Sequence, residues 1–219
     1  MKAKKHFGQH FLISQTTAQE IVNGLGDIDD HDVLEIGPGT GILTQYLLTK
    51  SKTFKAVEID TDATEYLKKQ WQNIEIIQAD FLKINLTDYF NQPFRLIGNF
   101  PYNISSQIVF KIIENSHLIE QWVGMFQLEM GIRLVAKPKD KKDYGILSVL
   151  MPFYYNVEQM MILPPEAFNP PPKVNSIVVK ARKKQHKFRA DPKLIRRVVK
   201  TAFGQRRKTL RNSLFYLLV

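Results

Sequence analysis

The feature that most constrains this fold is a regular alternation of short apolar segments with helical segments, which begins near residue 14. The apolar segments have the length and composition of buried strands and lie at residues 33–37, 54–60, 74–78, 94–98 and 121–127. Segments with helical periodicity precede, separate and follow them, at residues 14–23, 40–49, 61–71, 105–115 and 128–136. Alternation of this kind predicts a parallel sheet covered by helices on both faces.

The pattern changes after Asp143, where strand-like segments are no longer followed by helices. Residues 146–155 and 176–181 are strand-like and are separated by a proline-rich stretch at residues 164–172. This arrangement favours a sheet that finishes in antiparallel strands at one edge. From Asp191 onward the apolar residues recur at helical spacing, which predicts a helical C-terminal segment.

Composition excludes several kinds of site. The 219 residues include no Cys, which excludes disulfides, a thiol nucleophile and Cys-ligated zinc or iron–sulfur centres. The five His residues show no paired metal-ligand spacing, so no metal site is expected. The longest apolar stretch, residues 144–155, is well short of the roughly 18–20 residues that cross a bilayer. The basic N-terminus lacks the apolar region of a signal peptide, so we expect a cytoplasmic protein without membrane contact.

The positive charge is concentrated at one end of the chain. The formal net charge is +10, and residues 180–219 contain 14 of the 31 Lys and Arg residues but one acidic residue, Asp191. A near-neutral body with a strongly basic end favours a polyanionic partner, of which nucleic acid is the commonest. The alternative is a solvated basic tail that only aids solubility.

A glycine-rich turn follows the first predicted strand. Gly37, Gly39 and Gly41 have the spacing G-x-G-x-G, and Ile42 stands where the dinucleotide-binding fingerprint has its third glycine. No Gly-Lys-Ser/Thr follows, which excludes a P-loop. Ligands of such sheets bind at the carboxyl ends of strands, so the turn is a candidate ligand site. Because both phosphate-binding patterns are missing, we expect a ligand without a pyrophosphate.

Two acidic residues end the next two predicted strands. Glu58 comes about 20 residues after the glycine turn, where a carboxylate accepts hydrogen bonds from ribose hydroxyls. Asp80 follows the third strand and is a candidate for binding an adenine edge. Either residue alone is more often an ordinary surface residue at a strand end. Together with the glycine turn they outline a nucleoside site, and S-adenosylmethionine is a ligand of that kind.

The fourth predicted strand is followed by Asn99-Phe100-Pro101-Tyr102. An exocyclic adenine amine is a poor nucleophile because its lone pair is delocalised into the ring. The Asn99 side-chain carbonyl and a backbone carbonyl such as that of Phe100 can accept its two hydrogens, while Pro101 stiffens the turn and Tyr102 stacks on the base. The alternative is an Asn-capped turn with a core tyrosine.

Six motifs occur here in the order typical of one known family, at residues 8–12 (GQHFL), 35–41 (EIGPGTG), 57–60 (VEID), 99–102 (NFPY), 168–176 (FNPPPKVNS) and 206–214 (RRKTLRNSL). The chain resembles the ribosomal RNA adenine dimethyltransferases over essentially its whole length, and most closely their bacterial small-subunit group. Phe100 is bulkier than the Leu or Ile usual at that position, and His10 is one of two residues common at its position.

The resemblance implies a Rossmann-like, S-adenosylmethionine-dependent methyltransferase of class I, with a mostly parallel seven-stranded sheet and an antiparallel edge. It implies dimethylation of two adjacent adenosines near the 3′ end of small-subunit ribosomal RNA, in a pre-ribosomal 30S particle, by a monomer. The residues expected to bind the cofactor are His10, Leu12, Gly37, Gly39, Glu58, Ile59, Asp80, Phe81 and Asn99. Those expected at the reacting adenine are Asn99, Phe100, Pro101, Tyr102 and Phe168, with Tyr102 and Phe168 on opposite sides of the base.

The resemblance also implies a division of the chain. Residues 1–185 are expected to form the methyltransferase domain, in which residues 1–13 close over the cofactor. Residues 186–219 are expected to begin a helical RNA-binding domain that is incomplete here. Helical spacing in that segment predicts phosphate contacts by Arg206, Arg207, Lys208 and Arg211. The alternative is that these side chains only pack the start of the helical domain.

Three other readings stay open at this point. Related antibiotic-resistance methylases share the Asn-x-Pro-Tyr core and act on large-subunit RNA. A ribosome-assembly factor with a vestigial cofactor site is disfavoured because Glu58, Asp80 and Asn99 are all present. A dinucleotide oxidoreductase is disfavoured by Ile42.

Overall fold

The computed structural model describes Lys4 and residues 8–185, 190–205 and 207–217. Its strands are β1 (Phe11–Leu12), β2 (Asp32–Ile36), β3 (Thr53–Glu58), β4 (Ile76–Gln78), β5 (Phe94–Asn99), β6 (Ile119–Gln127), β7 (Tyr155–Leu163), β8 (Phe168–Asn169) and β9 (Ser176–Lys183). Its α-helices are α1 (Gln15–Asn23), α2 (Thr44–Lys50), α3 (Thr61–Gln70), α4 (Ser105–Glu114), α5 (Leu128–Val135), α6 (Ile146–Tyr154), α7 (Pro192–Gly204) and α8 (Leu210–Leu214). Short 3-10 helices occupy Leu86–Asp88, Pro165–Ala167 and Phe215–Leu217.

Seven of the strands form one sheet in the order β4-β3-β2-β5-β6-β9-β7. Neighbours from β4 to β6 are parallel, whereas β9 runs antiparallel to both β6 and β7. The expected fold, a mostly parallel seven-stranded sheet with an antiparallel edge, is confirmed. The strand order reverses at β2, which has β3 on one side and β5 on the other. The crevice at the carboxyl ends of these strands is therefore the place where such sheets bind ligands.

Both faces of the central strands are buried. Leu96 packs in the apolar cluster that contains Trp122 and Phe126, whereas its neighbour Ile97 packs in a second cluster with Ile21. Because successive side chains of a strand point to opposite faces, a strand covered on both sides is apolar at nearly every position, with exceptions such as Glu35 in β2 and Arg95 in β5. This is the physical reason why short apolar runs in the sequence predict the parallel strands correctly.

The prediction of a strand at residues 146–155 is wrong. Helix α6 occupies Ile146–Tyr154, and the edge strand β7 begins only at Tyr155. The buried apolar side chains of α6 recur at helical spacing, at Leu147, Leu150, Met151 and Tyr154. Nearly every residue of this segment is apolar, so its periodicity does not distinguish a buried helix from a buried strand. Packing against α5, β7 and α7 decides the outcome.

A two-stranded antiparallel sheet lies outside the main one and was not predicted. Strand β1 pairs with β8, with Phe11 opposite Asn169 and Leu12 opposite Phe168. Two-residue strands are too short to show any alternation of apolar and polar residues. This pairing holds the N-terminal segment against the proline-rich stretch at residues 164–172.

Helix α7 lies on the outside of the fold, where it packs against α6 and contacts the end of α4 through two side chains. Arg196 forms an ion pair with Glu114 at the end of α4, and its guanidinium lies 5.5 Å from the ring centre of Phe110. The ammonium of Lys200, one turn further along α7, lies 5.4 Å from the same ring, which is one turn earlier in α4. None of the side chains of α7 is fully buried.

Within the described ranges, no helix combines the length and apolar character that crossing a membrane requires. In the same part of the chain, no group of three or more His, Asp or Glu side chains is arranged to hold a metal ion.

We expect Gly131→Ala to destabilise the fold by about 1–3 kcal/mol, the usual cost of overpacking a core. Gly131 lies in α5, and an added Cβ would lie 2.1 Å from Cγ2 of Ile177 on β9. The gain in helix propensity from Gly to Ala, about 0.8–1.0 kcal/mol, does not offset such a contact. Gly204→Ala, at the end of α7, is the matched control because its Cβ would meet nothing within 4 Å. Urea unfolding measures both, and a Gly131→Ala protein as stable as the wild type would contradict the prediction.

Candidate active site

A cavity of about 220 Å³ opens at the carboxyl ends of β2, β3, β4 and β5. It is lined by the glycine turn after β2, the end of β3, the segment after β4 and the Asn-Phe-Pro-Tyr segment after β5. A fifth wall comes from the N-terminal segment, through residues 8–11. The sequence-predicted site residues found in this lining are His10, Gly37, Gly39, Glu58, Ile59, Asp80, Phe81, Asn99, Phe100, Pro101 and Tyr102.

The glycine turn requires left-handed backbone at two positions that face the cavity. Gly37 has a φ of 64° and Gly39 a φ of 57°, values that side-chain-bearing residues rarely adopt. A Cβ on Gly37 would meet no atom within 4 Å, so a ligand has room to approach the backbone there. A Cβ on Gly39 would lie 2.9 Å from the ring of Phe11, which covers the turn from the N-terminal side. The turn is thus open to a ligand at Gly37 and closed by Phe11 at Gly39.

The Glu58 carboxylate is buried and hydrogen-bonded at the end of β3. Its Oε1 accepts from the backbone N–H of Asp60 at 2.9 Å, and its Oε2 accepts from the N–H of Gly39 at 3.3 Å. Burial raises the pKa of Glu58, whereas hydrogen bonds from Asp60, Gly39 and Ile59 oppose that rise. These contacts fix the orientation of the carboxylate against the glycine turn. It can accept hydrogen bonds from a pair of vicinal hydroxyls at the cavity edge.

An apolar slot with one carboxylate lies beside Glu58. Ile59 is 49% exposed and Phe81 is buried, and both line the cavity. Asp80 accepts a hydrogen bond from the N–H of Leu82 at 2.9 Å through Oδ1, which fixes its side chain. A flat, polar-edged ring such as adenine fits between apolar side chains of this kind.

The Asn99 side chain is oriented by the N-terminal segment. Its Nδ2 donates to the backbone carbonyl of His10 at 2.7 Å. Among the described residues no donor reaches its Oδ1, so the oxygen is left available as an acceptor. The ring of Phe100 is fully buried and packs edge-on against Phe126 at 5.2 Å. Phe100 can therefore act on a ligand only through its backbone.

Tyr102 is held from both ends. Its hydroxyl lies 2.5 Å from Oγ of Ser176, and its ring stacks on the imidazole of His10 with centres 5.4 Å apart. The Nδ1 of His10 lies 2.8 Å from the carbonyl oxygen of Pro170, so Nδ1 carries the proton because a carbonyl only accepts. Burial raises the pKa of Tyr102, and the hydrogen bond with Ser176 opposes that rise. An aromatic wall thus stands beside the Asn99 oxygen.

Two of the sequence-predicted site residues do not line this cavity. Leu12 and Phe168 are both buried in the apolar cluster below it, where β1 pairs with β8. Phe168 is 3% exposed, and its role at one face of an adenine stays a prediction.

The structure also identifies functional candidates that residue-by-residue reasoning missed. Phe11 covers Gly39, Ser176 holds Tyr102, and Gln9 and Asp60 bind one another beside the cavity. All four lie inside the motifs quoted for the family. Their partners are distant in sequence, so only the motif itself could have drawn attention to them.

Three of the four basic residues predicted to bind RNA, Arg207, Lys208 and Arg211, lie around the start of α8. Arg206 lies outside the described residues. Arg207, Lys208 and Arg211 are exposed. The expectation that they share one continuous helix is wrong, because α8 starts at Leu210 and Thr209 is its N-cap. The Thr209 side chain accepts from the N–H of Asn212, as an N-cap does. Arg207 and Lys208 precede this cap and therefore lie in the turn before α8.

A second buried carboxyl lies beneath the glycine turn. Glu35 is 1% exposed, and its Oε2 accepts a hydrogen bond from Oγ1 of Thr44 at 2.7 Å. Burial raises the pKa of Glu35 to about 8, against the hydrogen bond from Thr44, and the nearby Glu58 adds to the rise. Glu35 is thus protonated at neutral pH, which avoids two adjacent buried negative charges.

The sheet topology and this cavity define an S-adenosylmethionine-dependent methyltransferase. The residues present fit that cofactor: an open glycine backbone for its amino-acid part, Glu58 for the ribose hydroxyls, and the Ile59–Phe81 slot with Asp80 for adenine. S-adenosylmethionine has no phosphate group, so it needs no phosphate-binding turn.

The chain belongs to the ribosomal RNA adenine dimethylase family, whose profile matches residues 1–219. Ribosomal RNA small subunit methyltransferase A of Bacteroides fragilis is 47% identical over 218 residues, which cover 98% of this chain and 80% of the relative. The protein of the same name in Flavobacterium johnsoniae is 49% identical over 218 residues, covering 98% and 83% of the two chains.

Solved structures agree with this assignment. A dimethyladenosine transferase from Plasmodium falciparum superposes with a TM-score of 0.84 at 30% identity, covering 94% of this chain and 74% of that one. The 23S rRNA methyltransferase ErmE superposes with a TM-score of 0.78 at 27% identity, covering 94% and 84%. The fold is thus shared by a protein named as a dimethyladenosine transferase and by one named as a 23S rRNA methyltransferase.

We expect the stability of the wild type to fall as pH rises from about 4.5 to 8, partly because of Glu35. Its folded pKa of about 8 lies above the ordinary value of 4.5, so between these values the folded state binds the extra proton. The slope from one such group is at most about 1.4 kcal/mol per pH unit. Glu35→Gln keeps an acceptor for Thr44 and should remove this part of the slope.

The measurement is urea unfolding at a series of pH values. Glu20→Gln, at an exposed position of α1, is the matched control and should leave the slope unchanged. If Glu35→Gln and the wild type have the same pH profile, Glu35 is ionised across this range.

Proposed function

We propose that this protein transfers methyl groups from S-adenosylmethionine to the exocyclic amine of adenine in small-subunit ribosomal RNA. We further propose that it dimethylates two adjacent adenosines near the 3′ end of this RNA. It would do so on a pre-ribosomal 30S particle, as a cytoplasmic monomer. Methylation of adenine in small-subunit ribosomal RNA is supported by the family and by relatives that are named for the small subunit and are 47–49% identical.

The observation that supports this chemistry best is the orientation of the Asn99 amide. Its nitrogen is engaged by the His10 carbonyl, so its oxygen is the group left to accept a hydrogen bond. An amine that donates one hydrogen to this oxygen and one to a backbone carbonyl, such as that of Phe100, has its lone pair directed away from the ring. Such a nitrogen is a better nucleophile without any strong general base.

When bound, S-adenosylmethionine supplies an electrophilic methyl carbon on its sulfonium. In the proposed reaction the amine nitrogen forms a bond to this carbon, the carbon–sulfur bond breaks, and the nitrogen then loses a proton to solvent. Asn99 and Tyr102 line the same cavity as the proposed cofactor-binding residues, and the proposed task of Asn99 is to align nitrogen, carbon and sulfur. Glu58 and Asp80 are proposed to hold the ribose and the adenine of S-adenosylmethionine, which fixes the position of the methyl donor.

Tyr102 is the proposed stacking surface for the acceptor base. Its hydroxyl bond to Ser176 fixes the ring plane next to Asn99, and His10 lies parallel to the same ring. Aromatic stacking of an extruded base stabilises it by about 1–3 kcal/mol. An adenine reaches this ring by displacing His10 or by stacking at its edge.

The basic C-terminal segment is the proposed contact with RNA phosphates. The segment follows α7, a helix with no fully buried side chain, and therefore continues from the surface of the molecule. Arg207, Lys208 and Arg211 are exposed there and available to a polyanion.

A large-subunit substrate is the second candidate, favoured by the superposition with ErmE. Incubation of the protein with labelled S-adenosylmethionine and purified undermethylated subunits separates the two. Label in adenine of the small subunit, mapped to neighbouring nucleotides, is the expected result. Label confined to the large subunit would overturn the proposal.

We expect Asn99→Ala to lower single-turnover methylation by about 100-fold or more, because the lost acceptor acts on the amine in the transition state. Cofactor affinity, measured by calorimetry, should change much less than the rate. Asn156→Ala, at an exposed position of β7, removes the same side chain far from the site and is the control. A near-normal rate in the Asn99 variant would remove Asn99 from this role.

We expect replacement of Arg207, Lys208 and Arg211 by Ala to flatten the salt dependence of RNA binding. Each lost phosphate contact lowers the slope of log K against log salt by about 0.7–0.9. The control is a variant with Lys52, Lys68 and Lys69 replaced by Ala, which removes the same charge from exposed positions near β3 and α3. Equal slopes in the two variants would show that only net charge matters and that this segment makes no specific contact.

A further inference from the structure

The N-terminal segment, here Lys4 together with residues 8–12, is attached to the domain at three places. Strand β1 pairs with β8, the His10 carbonyl accepts from Asn99, and Lys4 and Gln9 both bind Asp60. The second contact orients the proposed catalytic amide. The position of the segment therefore decides the position of the Asn99 oxygen.

Asp60 is the point where this segment meets the cofactor side of the cavity. The residue is 1% exposed, and its Oδ1 accepts from Nζ of Lys4 at 2.6 Å while its Oδ2 accepts from Nε2 of Gln9 at 3.1 Å. Its backbone N–H donates to Oε1 of Glu58 at 2.9 Å. A single residue thus connects the N-terminal segment to the carboxylate proposed to bind ribose.

The direction of these bonds is determined at Gln9. Its Oε1 accepts from the backbone N–H of Lys4 at 2.8 Å, so its amide nitrogen must face Asp60. Burial alone would raise the pKa of Asp60, but the hydrogen bonds from Lys4, Gln9 and Asp62 outweigh it and lower the pKa. Asp60 is therefore an anion that both groups of the N-terminal segment stabilise.

Helix capping does not account for this arrangement. Asp60 is the N-cap of α3 and accepts from the N–H of Asp62 at 3.0 Å through Oδ1. A cap needs one acceptor oxygen, which Asn or Ser supplies equally well. Among the described residues the second oxygen contacts Gln9 alone, and the negative charge pairs with Lys4, which also pairs with Asp62 at 2.7 Å. Both therefore have a task apart from capping.

We propose that Asp60 is a positioning residue, which with Lys4 and Gln9 holds the N-terminal segment so that the His10 carbonyl fixes the Asn99 amide for methyl transfer. This inference rests on the proposed function, since it assigns the segment a part in the same reaction. Asp60 acts through His10 and Asn99 and touches no reacting atom.

The decisive variant is Asp60→Asn. An asparagine keeps the N-cap oxygen, but its Nδ2 would face the Gln9 amide nitrogen, and the charge that binds Lys4 is gone. Glu65→Gln, at an exposed position of α3, is the matched acid-to-amide control. Gln9→Leu removes the hydrogen bond between Gln9 and Asp60 while Asp60 is unchanged. It tests the proposal if Asp60→Asn does not fold. Lys4→Arg retains a cation for Asp60, whereas Lys4→Met does not.

Two measurements are made on the full chain. The first is hydrogen exchange of the amides of residues 8–12 without cofactor, where we expect at least about tenfold faster exchange in Asp60→Asn and Gln9→Leu. The second is single-turnover methylation, where we expect a rate about 10–100-fold lower, as a misplacement of about 1 Å costs. Glu65→Gln and Lys4→Arg should match the wild type in both, while Lys4→Met should approach Asp60→Asn.

Unchanged exchange and an unchanged rate in Asp60→Asn or Gln9→Leu would overturn the proposal, as would equal losses in Glu65→Gln. Thermal melts separate a positioning role from a structural one, because Asp60→Asn should lose rate while keeping the melting temperature of Glu65→Gln. If the wild type methylates neither subunit, the proposed function fails. The exchange result would still show whether Asp60 holds the segment.

Discussion

The buried carboxylate of Glu58 is the contact on which the rest of the site depends. Its two oxygens accept from Gly39 in the glycine turn and from Asp60 at the start of α3, so one side chain joins two loops at neighbouring strand ends. Burying a carboxylate is costly unless hydrogen bonds satisfy it. Those bonds are made by backbone N–H groups whose positions are fixed by β2 and β3, which makes the carboxylate rigid before any ligand arrives.

Rigidity at the cofactor end contrasts with the way the acceptor end is assembled. Asn99 stands at the end of β5, but its amide orientation is set by His10, whose segment is attached by a two-residue strand and a few polar contacts. A helix or strand of the main sheet has many backbone hydrogen bonds, whereas this segment has few. The proposed acceptor site thus depends on contacts that the N-terminal segment makes, including the stacking of His10 on Tyr102.

Much of the fold could be predicted because the residues within each segment determine its local structure. The parallel strands are predominantly apolar since the sheet is covered on both faces, and the turn at Gly37 and Gly39 needs left-handed backbone. Where a segment is apolar all round, as at Ile146–Tyr154, local pattern gives no answer and packing against neighbouring elements determines the helix. Two-residue strands such as β1 carry no pattern at all.

The sequence by itself determined the order of the parallel strands with the helices between them, the glycine turn, and the choice of Glu58, Asp80, Asn99 and Tyr102 as candidate site residues, because each is tied to the end of a strand. Only the tertiary structure decided which group faces which. The amide of Asn99 is directed by a carbonyl 89 residues away, and Tyr102 is held by a hydroxyl 74 residues away. Hydrogen bonds depend on distance and angle to within fractions of an ångström, and such geometry is set by packing of the whole chain rather than by any local run of residues.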